Sequence, residues 1–400
     1  MIDFLTKYYI IFYSLIIIYY HIKFPNKVKN ILLILFGFFL PISVIISNIL
    51  LCTICFLSII QVEFKKKIHK TLQSKWMVSI VLFVLLYYIY FLIFGIFTDT
   101  FWIIKRVSLL LLLPILYISK FSYDSIRISL ITFLFSMFFS SVISIADNIY
   151  LIEFTRNWTW SAFMKYTEHN IYLSFCILIT LYLIHRVKIN LKYKYLFAFS
   201  IMVYLSSLIL EAGKMGQITT VFGIIFFYIF HYIKNIKKLV FSLLSVLVIC
   251  FITYNNSNLI QERYTIEDQR ETFRISLLKN SIELIKKNII VGNGAGSFSD
   301  KFSEINENNA KIIRYGHKTP HNNYLYVWIE LGVLGLIIFI FIFFYHYQEL
   351  IYHFDGKFMI FLPIIYLLIM FADSYFLSHN TLMLYIFLSV LVFNFQNKHV

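Results

Sequence analysis

The stretch Ile80-Val-Leu-Phe-Val-Leu-Leu-Tyr-Tyr-Ile-Tyr-Phe-Leu-Ile-Phe-Gly-Ile-Phe97 is eighteen residues long and contains no charge and no amide side chain. A helix that crosses a bilayer needs roughly 20 mostly apolar residues. Runs of the same character recur at Leu109–Ile118, Ile171–Ile184, Leu239–Tyr254 and Val333–Tyr345, with short polar clusters between them. Backbone amides have no water to bond in hydrocarbon, so runs that cross it are helices. Of the whole chain, 60% is hydrophobic and 14% charged, against about 25% charged in soluble domains. These features predict an all-α, polytopic integral membrane protein.

Asn30–Ile60 is thirty-one residues long, too long for one pass through a bilayer of about 30 Å. Pro41 divides it into two short passes. Tyr8–Tyr20 reads as a retained first helix, because Asp3 occupies what would be a basic signal region and no small-residue cleavage site follows. The expected number of transmembrane helices is thirteen, or twelve without that first one. Cys52, Cys55, Cys176 and Cys250 all lie inside apolar runs, where thiols behave as small hydrophobes.

Taken alternately, the polar segments fall into two groups. Residues 23–29, 63–75, 120–127, 186–194, 234–238, 348–357 and 396–400 carry 19 Lys/Arg against 4 Asp/Glu, and the rest of the chain carries 16 of each. The net charge of +15 therefore belongs to one group. Lys and Arg accumulate in cytoplasmic loops, which places that group inside and removes any need for a nucleic-acid partner. Residues 98–101, 147–170, 211–215, 255–322 and 373–379 are then expected outside. This divides the chain into transmembrane helices 1–10 over 1–254, a large extracytoplasmic loop over 255–322, and C-terminal transmembrane helices over 323–400.

A loop as long as 255–322 is usually functional. Within it Gln269–Lys287 reads as an amphipathic helix, with Phe273, Leu277 and Leu284 on the apolar side and Ile275, Leu278, Ile282 and Ile285 beside them. Arg263, Arg270 and Arg274, spaced by seven and four, share one side of such a helix. They are either solvated charges paired with nearby carboxylates or a cationic ridge whose forks fit phosphate. Gly292-Asn-Gly294-Ala-Gly296-Ser-Phe298 lacks the preceding strand of a dinucleotide fingerprint. It reads as a tight turn with amides available to an anion. Lys318-Thr-Pro320-His321-Asn322-Asn323-Tyr324-Leu325 closes the loop and puts His321 and Asn322 at a helix entrance. Imidazole suits proton transfer near neutrality, although a lone histidine is more often packed or solvated. His169-Asn170 and His379-Asn380 stand at the same expected depth. The three pairs either cap helices or line one polar cleft.

Arg274, then Gly292-x-Gly294-x-Gly296-x-Phe298, then His321-Asn322-x-Tyr324-Leu325 and Glu330-Leu-Gly332-x-x-Gly335 strongly resemble the O-antigen ligase and polymerase superfamily. The resemblance spans roughly residues 200–345. It implies a metal-independent, inverting glycosyltransferase without a cofactor, on the outer side of the bacterial cytoplasmic membrane. Its substrates would be glycans on undecaprenyl diphosphate, with polysaccharide export or chain-length proteins as further candidate partners. By position, His321 becomes the base for the acceptor hydroxyl and Arg274 a ligand of the diphosphate. Arg263, Arg270, Gly292, Gly294, Asn322 and Tyr324 become candidate substrate-binding residues. The family's Ser-Arg-Gly-like turn corresponds to Ala212-Gly213-Lys214-Met215-Gly216, where Lys214 keeps the charge and loses the guanidinium fork. Glu211 beside it is a possible second base, and an ion pair with Lys214 is the favoured reading.

Displacing a sugar from a lipid diphosphate needs a base and cations for the departing charge. No Asp-x-Asp pair occurs in the outer segments, so arginines are expected to supply that charge. The expected activity is polymerisation of lipid-linked repeat units into O-antigen or capsule. The alternatives are a ligase acting on a lipid A core and a transporter or flippase of lipid-linked glycans. A transporter is disfavoured because no internal repeat is visible.

Overall fold

The computed structural model describes residues 25–61, 69, 71–149, 151–154, 160–186, 190–211, 213–232, 268–307, 318–353 and 360–396. The expected helix Tyr8–Tyr20, the run Leu239–Tyr254 and Arg263 lie outside these residues. The fold is all-α apart from one two-residue hairpin. In chain order the helices are α1 (Pro25–Phe39), α2 (Val44–Ile60), α3 (Lys75–Phe94), α4 (Thr100–Ile118) and α5 (Tyr123–Asn148). They continue as α6 (Tyr166–Arg186), α7 (Leu191–Leu210), α8 (Lys214–Tyr232), α9 (Asp268–Lys287) and α10 (Phe298–Ile305). The last three are α11 (Asn323–His353), α12 (Phe361–Ile369) and α13 (His379–Gln396). Strands β1 (Trp160–Ser161) and β2 (Met164–Lys165) pair antiparallel just before α6.

The break between α1 and α2 surrounds Pro41, as expected for two short passes. Serines at the starts of helices satisfy amides that have no partner within the helix. Ser43 accepts from Ile46, Ser74 from Met77 and Ser122 from Ser125. Among the described residues, six helices are long and apolar enough to cross a membrane: α3, α4, α5, α6, α7 and α11. Helices α2, α8 and α13 contribute shorter apolar stretches. Large apolar side chains also face outward, among them Leu196, Phe199 and Met202 of α7. Helices apolar on every side, exposed as well as buried, are what a lipid solvent requires. The chain is a polytopic membrane protein.

The most enclosed helices are α6 and α13, which pack on each other and on the other helices around them. The most apolar window of α6 is 72% buried, against 17% for α7 at the periphery. Small residues bring backbones close where lipid provides no hydrophobic drive. In α5 the buried serines 125, 129, 136, 140, 141 and 144 form such a surface. Ser129 Oγ donates to the Leu33 carbonyl at 2.9 Å, and a Cβ on Gly37 of α1 would stand 2.5 Å from the Ser129 carbonyl oxygen.

Hydrogen bonds and ion pairs join polar segments within each of the two groups read from charge. In the basic group Lys29 meets Gln61, Asn30 meets Ser122 and Ser74 meets Glu349. In the other group Thr98 meets Asp300, Lys318 meets Asp99 and His321 meets Asp373. Among the described residues, these pairs join residues of, or next to, segments of one charge group.

Candidate active site

His321 precedes α11 in a left-handed backbone conformation, φ 52°, unusual for a residue with a Cβ. Its neighbours fix it there. Pro320 is buried, and Asn322 caps α11 by accepting from the Leu325 amide at 3.0 Å while donating to Phe371 O at 3.1 Å. The Asn323 amide donates to Met370 O (2.9 Å), and its side-chain oxygen accepts from the Phe376 amide (3.0 Å). Tyr324 donates its hydroxyl proton to Leu367 O at 2.7 Å. The start of α11 is thereby stitched to the connection between α12 and α13.

That connection carries Asp373, whose Oδ1 lies 2.9 Å from His321 Nδ1. Burial alone would raise the Asp373 pKa. The hydrogen bond and charge of His321, the Ser374 amide and the charge of Arg274 outweigh it, so the carboxyl lies below its ordinary value. Asp373 is therefore a carboxylate at neutral pH, and its bond assigns the proton of neutral His321 to Nδ1. Arg274 on α9 is exposed, and its field reaches both Asp373 and Tyr375. Arg270 lies one helical turn before it in α9.

The glycine turn does something other than expected. α11 is kinked at Gly332, φ 66°, which removes the normal bond from Val333 N to Ile329 O. The loop replaces what the kink breaks. Val333 N donates to Ile289 O (3.1 Å), Asn293 N to Ile329 O (2.9 Å) and Gly294 N to Glu330 O (2.9 Å). Gly292 N is committed to Asn288 O at 3.0 Å. The amides of Asn293 and Gly294 are thus spent on the kink and that of Gly292 on its own loop, and none of the three is available to an anion. Gly292, Gly294 and Gly296 have φ of 77°, 106° and 79°, and a Cβ on any of them would meet α11 or the α3–α4 turn within 3 Å. Glu330 is buried beside this junction. The Tyr87 and Tyr326 hydroxyls are directed at its carboxylate without reaching hydrogen-bond geometry.

The amphipathic helix forms as α9, but its apolar residues divide between two sides. Leu277, Leu284 and Ile285 are buried, with α9 packed on α10 and α11, while Ile275, Leu278 and Ile282 are exposed. A helix held between protein and headgroups can satisfy both.

His169 and Glu211 form a second, buried pair at 2.7 Å. Glu211 Oε1 also accepts from Ser144 (2.6 Å) and Ser207 (3.0 Å), and His169 Nε2 lies 2.9 Å from Ser140 Oγ. Glu211 is therefore bonded to His169, in place of the ion pair expected with Lys214. Lys214 begins α8, where Gly213 and Gly216 press against the buried Asn170. Glu168, one residue before His169, accepts from Ser378 and from Asn380 Nδ2 (2.6 Å). The three His-Asn pairs thus do different things. Asn322 caps, Asn170 packs against the glycines of α8, and Asn380 holds Glu168. Sequence reasoning missed Asp373, Glu168 and the His169–Glu211 pairing, although all lie in segments expected on the same face.

Residues 199–340 match the O-antigen ligase family. The match bears out the resemblance seen in the motifs and takes in Lys214, Arg274, the glycine turn, His321 and Glu330. Asp373, Glu168, His169 and Arg106 fall outside the O-antigen ligase match. No curated protein matches the chain.

Proposed function

We propose that the chain is a glycan polymerase that transfers a growing chain from undecaprenyl diphosphate to the hydroxyl of a second lipid-linked unit. The observation that carries the proposal is the His321–Asp373 pair at the entrance of α11, within the field of Arg274, with His321 and Arg274 inside the O-antigen ligase match. His321 Nε2 takes the proton of the acceptor hydroxyl as its oxygen bonds to the anomeric carbon. The bond from that carbon to the phosphate oxygen breaks, and undecaprenyl diphosphate departs with the electron pair. One displacement inverts the anomeric centre. Asp373 keeps the proton on Nδ1 and stabilises the imidazolium that forms. Arg274 offsets charge developing on the departing phosphate, a role suited to a guanidinium. Metal-independent transfer fits this division of labour.

Charge topology supports an active site on the outer face of the bacterial cytoplasmic membrane, because the basic segments belong to the other group of loops. A ligase would use the same pair with a lipid A core sugar as acceptor. The glycan profile of a deletion strain tests the proposal. Single repeat units on the core are expected. Long lipid-linked chains awaiting transfer would indicate a ligase, and cytoplasm-facing intermediates would indicate a flippase. His321→Ala and Arg274→Ala should abolish elongation while leaving the protein inserted, and normal ladders from either would refute the mechanism.

A further inference from the structure

Arg106 lies on α4, outside the O-antigen ligase match and outside the motifs that carry the resemblance. It is half-buried. Its Nη1 donates to Leu377 O at 2.8 Å, and the guanidinium carbon sits 4.2 Å from the Trp102 ring centroid. That hydrogen bond uses one of five N–H donors. Among the described residues no carboxylate lies within 4 Å of it. Glu168 is close enough for its charge to act on Arg106, but it lies beyond ion-pair distance and is held by Ser378 and Asn380. A partly desolvated guanidinium without a counter-ion is unfavourable unless an anion completes its shell.

Leu377 belongs to the same connection as Asp373, and Arg274 acts on Asp373 and Tyr375 of that connection. Two guanidinium groups therefore address one short segment, Arg274 through its Asp373–Tyr375 end and Arg106 through Leu377. The Trp102 ring under the guanidinium and the bond to Leu377 O restrict Arg106 before any ligand arrives. A lipid diphosphate diester carries two negative charges, and the proposed function assigns only one of them a guanidinium.

We propose that Arg106 is a second substrate cation, binding one phosphate of the lipid diphosphate through its remaining N–H donors while Arg274 serves the other. This rests on the reading of the donor as a lipid diphosphate. It also predicts what discriminates donor from spent carrier. Undecaprenyl monophosphate has one phosphate and, under this assignment, fills only one of the two places.

The test titrates the purified full-length chain with undecaprenyl diphosphate and, separately, undecaprenyl monophosphate, alongside thermal melts. Wild type is expected to prefer the diphosphate. Arg106→Gln should lose roughly tenfold or more in diphosphate affinity, the loss of one hydrogen bond to a charged group. Its monophosphate affinity should change less than about twofold, as expected of a site the smaller lipid does not fill. Its melt should be unchanged. Arg106→Lys, with charge but no fork, should fall between. Wild-type discrimination in Arg106→Gln, with discrimination lost in Arg274→Gln, would overturn the proposal and leave the diphosphate reading standing. Equal loss of both lipids with a lowered melt would assign Arg106 to holding Leu377 and would equally overturn it. A wild type that binds both lipids alike would instead remove the diphosphate reading itself. Should Arg106→Gln not fold, Arg106→Lys decides, since wild-type discrimination there would overturn the proposal.

Discussion

Replacing Asp373 by asparagine isolates what the carboxylate contributes to His321. Asparagine can still accept from Nδ1–H across the same 2.9 Å, so the contact survives while its charge is lost. Hydrogen bonds to charged groups contribute about 1.5–3 kcal/mol and neutral ones about 0.5–1.5. The difference is about 1–1.5 kcal/mol, and it should be taken at its lower end. The two side chains are 36% and 30% exposed, so solvent screens part of the interaction. That corresponds to a fall of about five- to tenfold in elongation rate. Asp373→Ala also releases the ring and its tautomer, and should approach the loss in His321→Ala, about 10²–10⁴-fold for a general base. The double alanine variant should be no slower than His321→Ala alone, because the two residues act as a unit. The assay is single-turnover transfer from a purified lipid-diphosphate donor, read by chain length. The pH dependence has a definite sign. Asp373 has a depressed folded-state pKa, so its stabilising contribution is present above the ordinary carboxylate value of about 3.9. It is lost only as pH falls through the lower folded value. The pair should therefore persist throughout the mildly acidic range, and the Asp373→Asn variant should lack this acid-side loss of stability. A wild-type rate in both Asp373→Asn and Asp373→Ala would refute the assignment of Asp373 as the partner that makes His321 a base.

Gly332→Ala should destabilise the protein by more than about 2 kcal/mol, because the left-handed backbone costs about 1–2 by itself and the new Cβ would overlap the Ile290 carbonyl. A lower melting temperature and faster proteolysis between α9 and α11 would register it, whereas an unchanged melt would mean the kink can relax. Glu211→Ala should cost about 3 kcal/mol by leaving buried His169, Ser144 and Ser207 without their acceptor, and Glu211→Gln should cost less. Thermal melts in detergent measure both, and a smaller loss from the alanine variant would show that the pair is not a structural tie. Lys214→Arg should retain transfer activity if the position serves diphosphate. An inactive but folded arginine variant would count against that role.

The helices were legible because lipid imposes one rule on every residue of a spanning run, and Ile80–Phe97 obeys it without regard to its partners. The break at Pro41 was legible for a local reason, since proline and the length of the run act within the segment. The grouping of loops followed from counting Lys and Arg, again without tertiary information. What stayed hidden depended on contacts across long separations. Asp373 lies 52 residues from His321, and nothing in Ala372-Asp373-Ser374 marks it as a histidine's partner. The glycine turn was misjudged for a related reason. Its local sequence correctly indicated a tight turn, but whether its amides face a ligand or protein depends on the kink at Gly332, more than thirty residues away. Glu211 was assigned to the nearest lysine in sequence, while the fold supplied a histidine from α6.

Among the described residues, the helices that begin at the face that holds His321 include α4 at Thr100, α6 at Tyr166, α8 at Lys214, α11 at Asn323 and α13 at His379. Each start carries the equivalent of roughly half a positive charge over its first turn. Acids stand at or ahead of these starts: Asp99 before α4, Glu168 in α6, Glu211 before α8 and Asp373 ahead of α13. Each is tied within the protein, Asp99 to Lys318, Glu168 to Ser378 and Asn380, Glu211 to His169, Ser144 and Ser207, and Asp373 to His321, which fixes its position while leaving its charge in place. Arg106 and Arg274, by contrast, have no carboxylate within 4 Å among the described residues. The acids serve as internal fasteners, and Arg106 and Arg274 lack such a contact. The proposed departure of a dianionic lipid diphosphate would draw on cations placed in this way.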